Sequence, residues 1–186
     1  MLSAFRFKLQ RPGVCLTVLV VACLAFNSGE ASAQQKHKYF FKAPPGTTKY
    51  TQTHLMEVAD VPGHQVRLAE TQSKYGDDTP VYDGVKVREI RGVLVSDYVA
   101  GNGKAFSYNV YVLDNGDKIF ARNDILTHSS AGADGGRRTS YTSVTTLTGG
   151  TGKFKDIRGT LRSSGATDLK TGTSGVETEG EYWFEK

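Results

Sequence analysis

Short β-type segments separated by turn residues make up the chain from Tyr50 onward. Glycine is dispersed, threonine, valine and tyrosine are abundant, and no window keeps the 3.6-residue apolar period of an amphipathic helix. The segments that predict strands are Thr51–Val58, Gln65–Ser73, Val85–Tyr98, Ala105–Leu113, Lys118–Asn123, Arg138–Leu147, Phe154–Ser163 and Glu177–Phe184. Eight strands with short connections predict an all-β domain that is either an antiparallel barrel or a sandwich.

Turn chemistry and internal glycines favour the barrel. Asn115-Gly116 lies between two apolar runs, which is a strong hairpin signal. Gly92, Gly159 and Gly180 lie inside strand patterns, where glycine often marks a bend or a close backbone approach. Some strands are also long for a sandwich. A closed barrel of eight strands leaves room for its own side chains or for one small ligand.

The run Gly149-Gly150-Thr151-Gly152-Lys153-Phe154 is the most specific motif in the chain. Glycine reaches positive φ angles that other residues avoid, so the run predicts a turn, structured by Gly149, Gly150 and Gly152, that leads into a strand. A phosphate-binding loop needs glycine, four residues, and then Gly-Lys-Ser/Thr. Leu147 stands where the first glycine should be and Phe154 where the hydroxyl should be, so the spacing argues against a nucleotide site.

Continued by Lys155 to Thr160, with Arg158-Gly159, the run resembles the signature of the barrel superfamily shared by allene oxide cyclases and plant dirigent proteins. The resemblance extends from about Gly84 to Lys186 through the strand–turn–strand Tyr111–Asp117 and the aromatic ending Glu181–Phe184. It implies a bacterial-type, secreted, eight-stranded antiparallel calycin-like β-barrel that shapes a small molecule inside the barrel. The pocket residues of that superfamily have no recognisable counterparts at matching positions here.

The first 33 residues predict a signal peptide. Arg6, Lys8 and Arg11 precede the apolar stretch 14–26, which is too short to span a bilayer as a helix, and Ala31-Ser32-Ala33 is a small-residue cleavage site. The expected mature chain begins at Gln34 and is secreted or periplasmic, with no integral membrane segment. The alternative is a lipoprotein, because Val20-Val21-Ala22-Cys23 resembles a lipidation box.

Both cysteines, Cys15 and Cys23, precede the cleavage site, so the mature chain is expected to use neither a disulfide nor thiol chemistry. The whole chain carries 23 Lys/Arg and 19 Asp/Glu, and the two signs alternate along it. Nucleic-acid binding usually needs a basic stripe, and none is visible. The sequence therefore predicts no nucleic-acid partner.

Residues 34–49 are polar, basic and proline-containing, which predicts a flexible N-terminal arm before a barrel domain at residues 50–186. The exception is Tyr39-Phe40-Phe41. These three aromatic residues are expected either to dock on the barrel, which is the favoured interpretation, or to form a first edge strand.

The sequence contains no recognisable catalytic motif, so the catalytic residues, if any, are unknown. The histidines show no metal-ligand spacing, and the turn Gly172-Thr173-Ser174-Gly175 lacks the spacing of a nucleophile elbow, so we expect neither a metal site nor a cofactor. Arg158 is expected to form an ion pair with a neighbouring strand in preference to contacting a ligand. The candidate ligand-binding residues in the lumen are Tyr108, Tyr111, Tyr141, Arg158 and Trp183.

Three functions stay open at this point. The first is a binding module for a small apolar or aromatic molecule in the lumen. The second is a cyclase or isomerase that confines a reactive substrate. The third is a scaffold whose core is filled by its own side chains. The sequence also leaves a homo-oligomer open.

Overall fold

A computed structural model of the chain describes residues 34–131, 136–168 and 173–186. The predicted signal peptide, its cleavage site and both cysteines lie outside the described residues, as does most of the glycine-rich loop between β7 and β8. The strands are β1 His37–Ala43, β2 Thr48–Glu57, β3 His64–Lys74, β4 Val81–Tyr82, β5 Val85–Val99, β6 Asn102–Leu113, β7 Lys118–Ala131, β8 Arg137–Gly150, β9 Ile157–Asp168 and β10 Thr173–Phe184. The only helical element in these ranges is a 3-10 turn at Gly152–Phe154.

The strands form one antiparallel sheet in the order β1-β10-β9-β8-β7-β6-β5-β3-β2, with the short β4 paired to β5. Strands β5 to β10 are a meander in which each strand pairs with the next along the chain. The all-β, antiparallel prediction is therefore confirmed, and each of the eight predicted strands is present with shifted ends.

The predicted closure into an eight-stranded calycin-like barrel is wrong for the described strands. The ladder ends at β1 on one side and at β2 on the other, and these two edge strands do not pair. They are joined by Pro44–Thr47, where Pro44 and Pro45 have no N–H to donate to a ladder. The carbonyl of Thr47 instead accepts the Lys74 N–H at 3.1 Å.

The open sheet is nevertheless strongly curled. The ring of Tyr39 on β1 stacks on Tyr82 of β4 at a centroid distance of 4.9 Å. The Phe41 ring meets the Tyr75 ring edge-on at 5.4 Å. Because β4 pairs with β5, which is six strands away from β1 in the strand order, these contacts require the sheet to bend back on itself.

Strand β1 corrects the prediction of a flexible arm. His37–Ala43 pairs along its whole length with β10, from His37 opposite Tyr182 to Ala43 opposite Val176. The sheet therefore begins at His37 and not near Tyr50. Of the two interpretations of Tyr39-Phe40-Phe41, the edge strand is the one observed, because the segment pairs residue by residue with β10 at the end of the strand order.

Tight turns set the hairpins of the meander. Ala100 and Gly101 both have positive φ, 49° and 81°, which lets β5 reverse directly into β6. As a result β6 starts at Asn102, earlier than predicted. The predicted hairpin at Asn115-Gly116 connects β6 to β7, and the Leu113 N–H donates to the Asp117 carbonyl at 2.9 Å.

Side chains alternate between two faces of the sheet, which we call the core face and the outer face. On β8, Ser143, Thr145 and Leu147 are buried on the core face, whereas Thr142 and Val144 are exposed on the outer face. The main core cluster lies at one end of the strands and includes Tyr39, Tyr82, Val87, Tyr111, Leu113, Ile119, Leu147, Phe154, Ile157, Leu161 and Tyr182. A smaller cluster of Ala69, Leu94 and Ala105 lies further along the core face.

Candidate binding groove

A groove of about 890 Å³ lies on the outer face and crosses seven strands. The strand register arranges its outward side chains in two adjacent rows from β5 to β1. The first row is Val95, Phe106, Asp124, Val144, Arg162, Glu179 and Phe40, and the second is Asp97, Lys104, Leu126, Thr142, Ser164 and Glu177. Residues far apart in sequence share this surface only because consecutive strands pair in register.

The groove exposes large apolar side chains. Phe40 is 69% exposed, Leu126 56% and Val144 41%. Phe106 is half-buried, because the Tyr108 ring meets it edge-on at 5.9 Å and the Arg122 guanidinium lies 5.6 Å from its centroid. A contiguous set of exposed apolar side chains on a soluble surface commonly marks an interaction site.

Three carboxylates of the groove are already bonded to cations or to histidine. Asp124 pairs with Arg122 at 3.0 Å, Glu177 with Lys42 at 2.7 Å, and Asp97 with His64 at 2.7 Å. Among the described residues, no ion pair forms to Arg162 or to Lys104. Their cross-strand neighbours are Glu179 and Asp97 respectively.

His64 lies beside the groove and bridges two carboxylates. Its Nδ1 is 2.5 Å from Asp60 Oδ1 and its Nε2 is 2.7 Å from Asp97 Oδ1. Since both partners are acceptors, both ring nitrogens must carry a proton, which requires the imidazolium form. The hydrogen bonds to Asp97 and then to Asp60 raise the pKa of His64, and the hydrogen bond from His64 lowers the pKa of Asp60.

The predicted ligand-binding residues do not lie together at one site. Tyr108 and Trp183 lie on the outer face, where Tyr108 is 58% exposed and the Lys36 ammonium is 5.3 Å from the Trp183 ring centroid. Tyr111 is buried in the main core cluster on the opposite face, and burial raises its pKa. Tyr141 also lies on the core face, on β8, and none of these four side chains lines the groove.

Arg158 is held by protein groups. Its Nη2 is 2.8 Å from Glu185 Oε2, and its Nη1 donates to the Ile157 carbonyl at 2.8 Å. The favoured interpretation of Arg158, an ion pair, matches this geometry, although the partner follows β10 and is not a residue within a strand. No contact connects Arg158 with the groove.

The glycine run is a structural junction. Gly152 has φ of +54°, and a Cβ added there would lie 2.0 Å from the Asp117 carboxylate. Gly150 has an ordinary φ, but an added Cβ would lie 2.2 Å from the Lys118 carbonyl oxygen. The Thr151 N–H donates to that carbonyl at 2.9 Å, and the Thr151 hydroxyl accepts the Lys118 N–H at 2.9 Å. The run therefore packs against the β6–β7 hairpin and does not cradle a ligand.

Sequence reasoning missed the groove. Alternation along Ala105–Leu113 places Phe106 and Tyr108 on one face, but it gives no sign of which face borders a cavity. Val144 and Arg162 were not connected with Phe106, because their adjacency depends on the register of β6 to β9. The available signal for the groove was the apolar residues at outward-facing positions of the alternating strands.

Within the described ranges, no group of three or more histidine, cysteine, aspartate or glutamate residues is arranged to hold a metal ion. In the same ranges, no helix has the length and hydropathy needed to cross a membrane. Fold and site together define an all-β protein built on one curled antiparallel sheet with a groove on its outer face. Comparison of the chain with protein-family models, curated proteins and solved structures finds no match.

Proposed function

We propose that this is an exported binding protein whose outer-face groove takes a small apolar or aromatic molecule. The observation that carries the proposal is the convergence of Phe40, Val95, Phe106, Leu126 and Val144 on one groove. Its volume of about 890 Å³ is within the usual range of small-molecule sites. The proposed site differs from the lumen expected from sequence, because the core face at the end of the strands is filled by aromatic side chains.

The state of the groove carboxylates supports binding over acid–base catalysis. Of the four groove carboxylates, Asp97, Asp124 and Glu177 have a hydrogen-bonded or ion-paired partner, and Glu179 is opposite Arg162 on the neighbouring strand. A general acid or base needs reach to a substrate proton and a pKa suited to transfer. Binding by shape and apolar contact needs neither a reachable substrate proton nor a tuned pKa. Ligand binding is therefore the function that this set of side chains supports better than acid–base catalysis.

We also propose that the domain is a divergent relative of the allene oxide cyclase and dirigent superfamily. The glycine signature Gly149–Gly159 motivates this relationship, and the antiparallel meander of long strands supports it. Retention of the signature is consistent with its structural role at the β6–β7 hairpin. Export is proposed from the leader sequence alone.

A titration with Nile red, a neutral hydrophobic dye, tests the groove. Val144→Asn should weaken dye binding at least about fivefold, because it places an amide in the apolar surface. Val93→Asn is the matched control, since Val93 is a similarly exposed outer-face valine, 45% against 41%, that does not line the groove. Equal weakening by both variants, or no saturable binding by the wild type, would refute the groove as the site.

A further inference from the structure

Three buried polar side-chain atoms lack a hydrogen-bond partner among the described residues. They are the Tyr82 hydroxyl in the main core cluster, Arg67 Nε on β3 and Ser96 Oγ on β5. Arg67 and Ser96 are directly opposite each other in the β3–β5 ladder, and Ser96 is 1% exposed. Facing cross-strand side chains start about 5 Å apart at Cβ. Two adjacent donors without an acceptor therefore point toward the same small volume.

Arg67 also lacks a carboxylate partner within the described part of the chain. Its guanidinium lies 4.9 Å from the centroid of the Tyr50 ring, and its Nη2 reaches the Tyr50 hydroxyl at 3.5 Å. Glu57, the carboxylate that follows on the same face of β2, accepts the Gln65 amide at 2.5 Å. The ring of Tyr50 covers a face of the guanidinium, so the N–H edge is the part left to bind an acceptor.

We propose that Arg67, Ser96 and Tyr50 form an oxyanion-binding site on the core face, suited to a carboxylate or a phosphate group. The guanidinium supplies the charge and a planar pair of donors that match two oxygens of such a group. The hydroxyls supply neutral donors around it. This site is separate from the groove, since Val95 and Asp97, the neighbours of Ser96, point to the opposite face.

The edge of the sheet gives an oxyanion access to this site. Strand β2 ends the ladder, and Tyr50 and Leu55 on it are 55% and 49% exposed. A ligand can thus approach past β2 and place its charged group against Arg67. The exposed Leu55, directly opposite Arg67, offers an apolar contact to the rest of such a molecule.

Thermal-shift and calorimetric titrations of the mature protein test the proposal, at constant ionic strength, with acetate, inorganic phosphate and acetamide as a neutral control that the apolar groove does not favour. We expect saturable stabilisation by acetate, phosphate or both, and none by acetamide. Competition between the two anions decides whether the site favours carboxylate or phosphate. Arg67→Gln should abolish the effect, and Arg67→Lys should weaken it at least tenfold because the planar donor pair is lost. Arg88→Gln, at an exposed arginine of β5 that lines neither the groove nor this site, should leave it unchanged.

Ser96→Ala and Tyr50→Phe keep the proposal testable if Arg67→Gln does not fold, because each removes only a hydroxyl. Each should weaken anion binding several-fold. The proposal is overturned if neither anion stabilises the wild type, or if anion affinity is the same in Ser96→Ala and Tyr50→Phe as in the wild type. Equal stabilisation of the wild type and Arg67→Gln would likewise place the anion elsewhere.

Discussion

The backbone N–H of Asp83 donates to the hydroxyl oxygen of Tyr182 at 2.8 Å, which connects the β4–β5 turn to β10 across 99 positions of sequence. Tyr182 also packs edge-on against Tyr82 at 5.4 Å and stacks on His37 at 4.9 Å. These contacts lie where the curled sheet brings its two ends together. The hydroxyl of one tyrosine therefore helps to hold an open sheet in its curved form.

Tyr182→Phe should lower the free energy of unfolding by about 1 kcal/mol or more, because the part-buried Asp83 N–H loses its acceptor. Urea denaturation followed by circular dichroism measures the change. Tyr108→Phe is the control, since the exposed Tyr108 hydroxyl has no hydrogen-bond partner among the described residues, and its stability should stay within about 0.5 kcal/mol of the wild type. If the free energy of unfolding of Tyr182→Phe equals that of the wild type, the hydroxyl does not help to hold the sheet in its curved form.

Alanine substitutions at Gly152 and Gly116 distinguish the stability cost of backbone strain from the added cost of a steric clash. Both have positive φ, +54° and +87°, but an added Cβ meets the Asp117 carboxylate at Gly152 and nothing within 4 Å at Gly116. Gly116→Ala should cost about 1 kcal/mol through the left-handed backbone alone. Gly152→Ala should cost more, because the β6–β7 hairpin must also move away from the new methyl group.

The free energies of unfolding of these two glycine variants, measured side by side, check the prediction. Gly150→Ala provides a third comparison, since its φ is ordinary and only the close contacts with the Lys118 and Phe154 carbonyl oxygens are at stake. Equal costs for Gly116→Ala and Gly152→Ala would mean that the glycine run is not held tightly against Asp117.

The bridge of His64 to Asp60 and Asp97 predicts a pH dependence of stability. The pKa of His64 is raised above its ordinary 6.5, so its contribution is complete below pH 6.5 and is lost as pH rises through the folded-state pKa. The pKa of Asp60 is lowered below its ordinary 3.8, so its contribution is present above pH 3.8 and is lost as pH falls through the folded-state pKa. The bridge therefore stabilises most between these two limits.

Chemical denaturation across about pH 5 to pH 9 tests this expectation, because histidine titrates in that range. His64→Gln should flatten the fall in stability toward alkaline pH. His54→Gln is the control, since His54 lies exposed on the edge strand β2 and forms no ion pair within the described residues. An unchanged pH profile in His64→Gln would show that the bridge does not contribute to stability in solution.

The leader predicts the N-terminus of the exported protein. Ala31-Ser32-Ala33 places cleavage before Gln34, and mass spectrometry of exported protein should give a chain that starts at or near Gln34. Its unfolding should not respond to reductant, because no cysteine remains after cleavage. A diacylated Cys23 would replace this interpretation with that of a lipoprotein.

Sequence patterns predicted the elements better than their assembly. The Asn115-Gly116 turn and the alternation in Ala105–Leu113 are local, so β6 and its hairpin to β7 could be placed from sequence. The charged and proline-containing composition around Tyr39 is not typical of a strand. Strand β1 also forms by pairing with β10, more than 130 positions away, and local patterns carry no information about such a distant partner. Closure was predicted from strand length and internal glycines, and neither feature specifies whether β1 pairs with β2.

The sequence by itself determined that the domain is all-β and antiparallel, because turn residues and two-residue alternation act over a few positions. Only the tertiary structure decided that Phe40, Phe106 and Val144 share a groove and that Arg67 faces Ser96. These neighbours come together through the register of many strands and the curvature of the sheet. Register and curvature depend on contacts such as Asp83 with Tyr182, which no local pattern records.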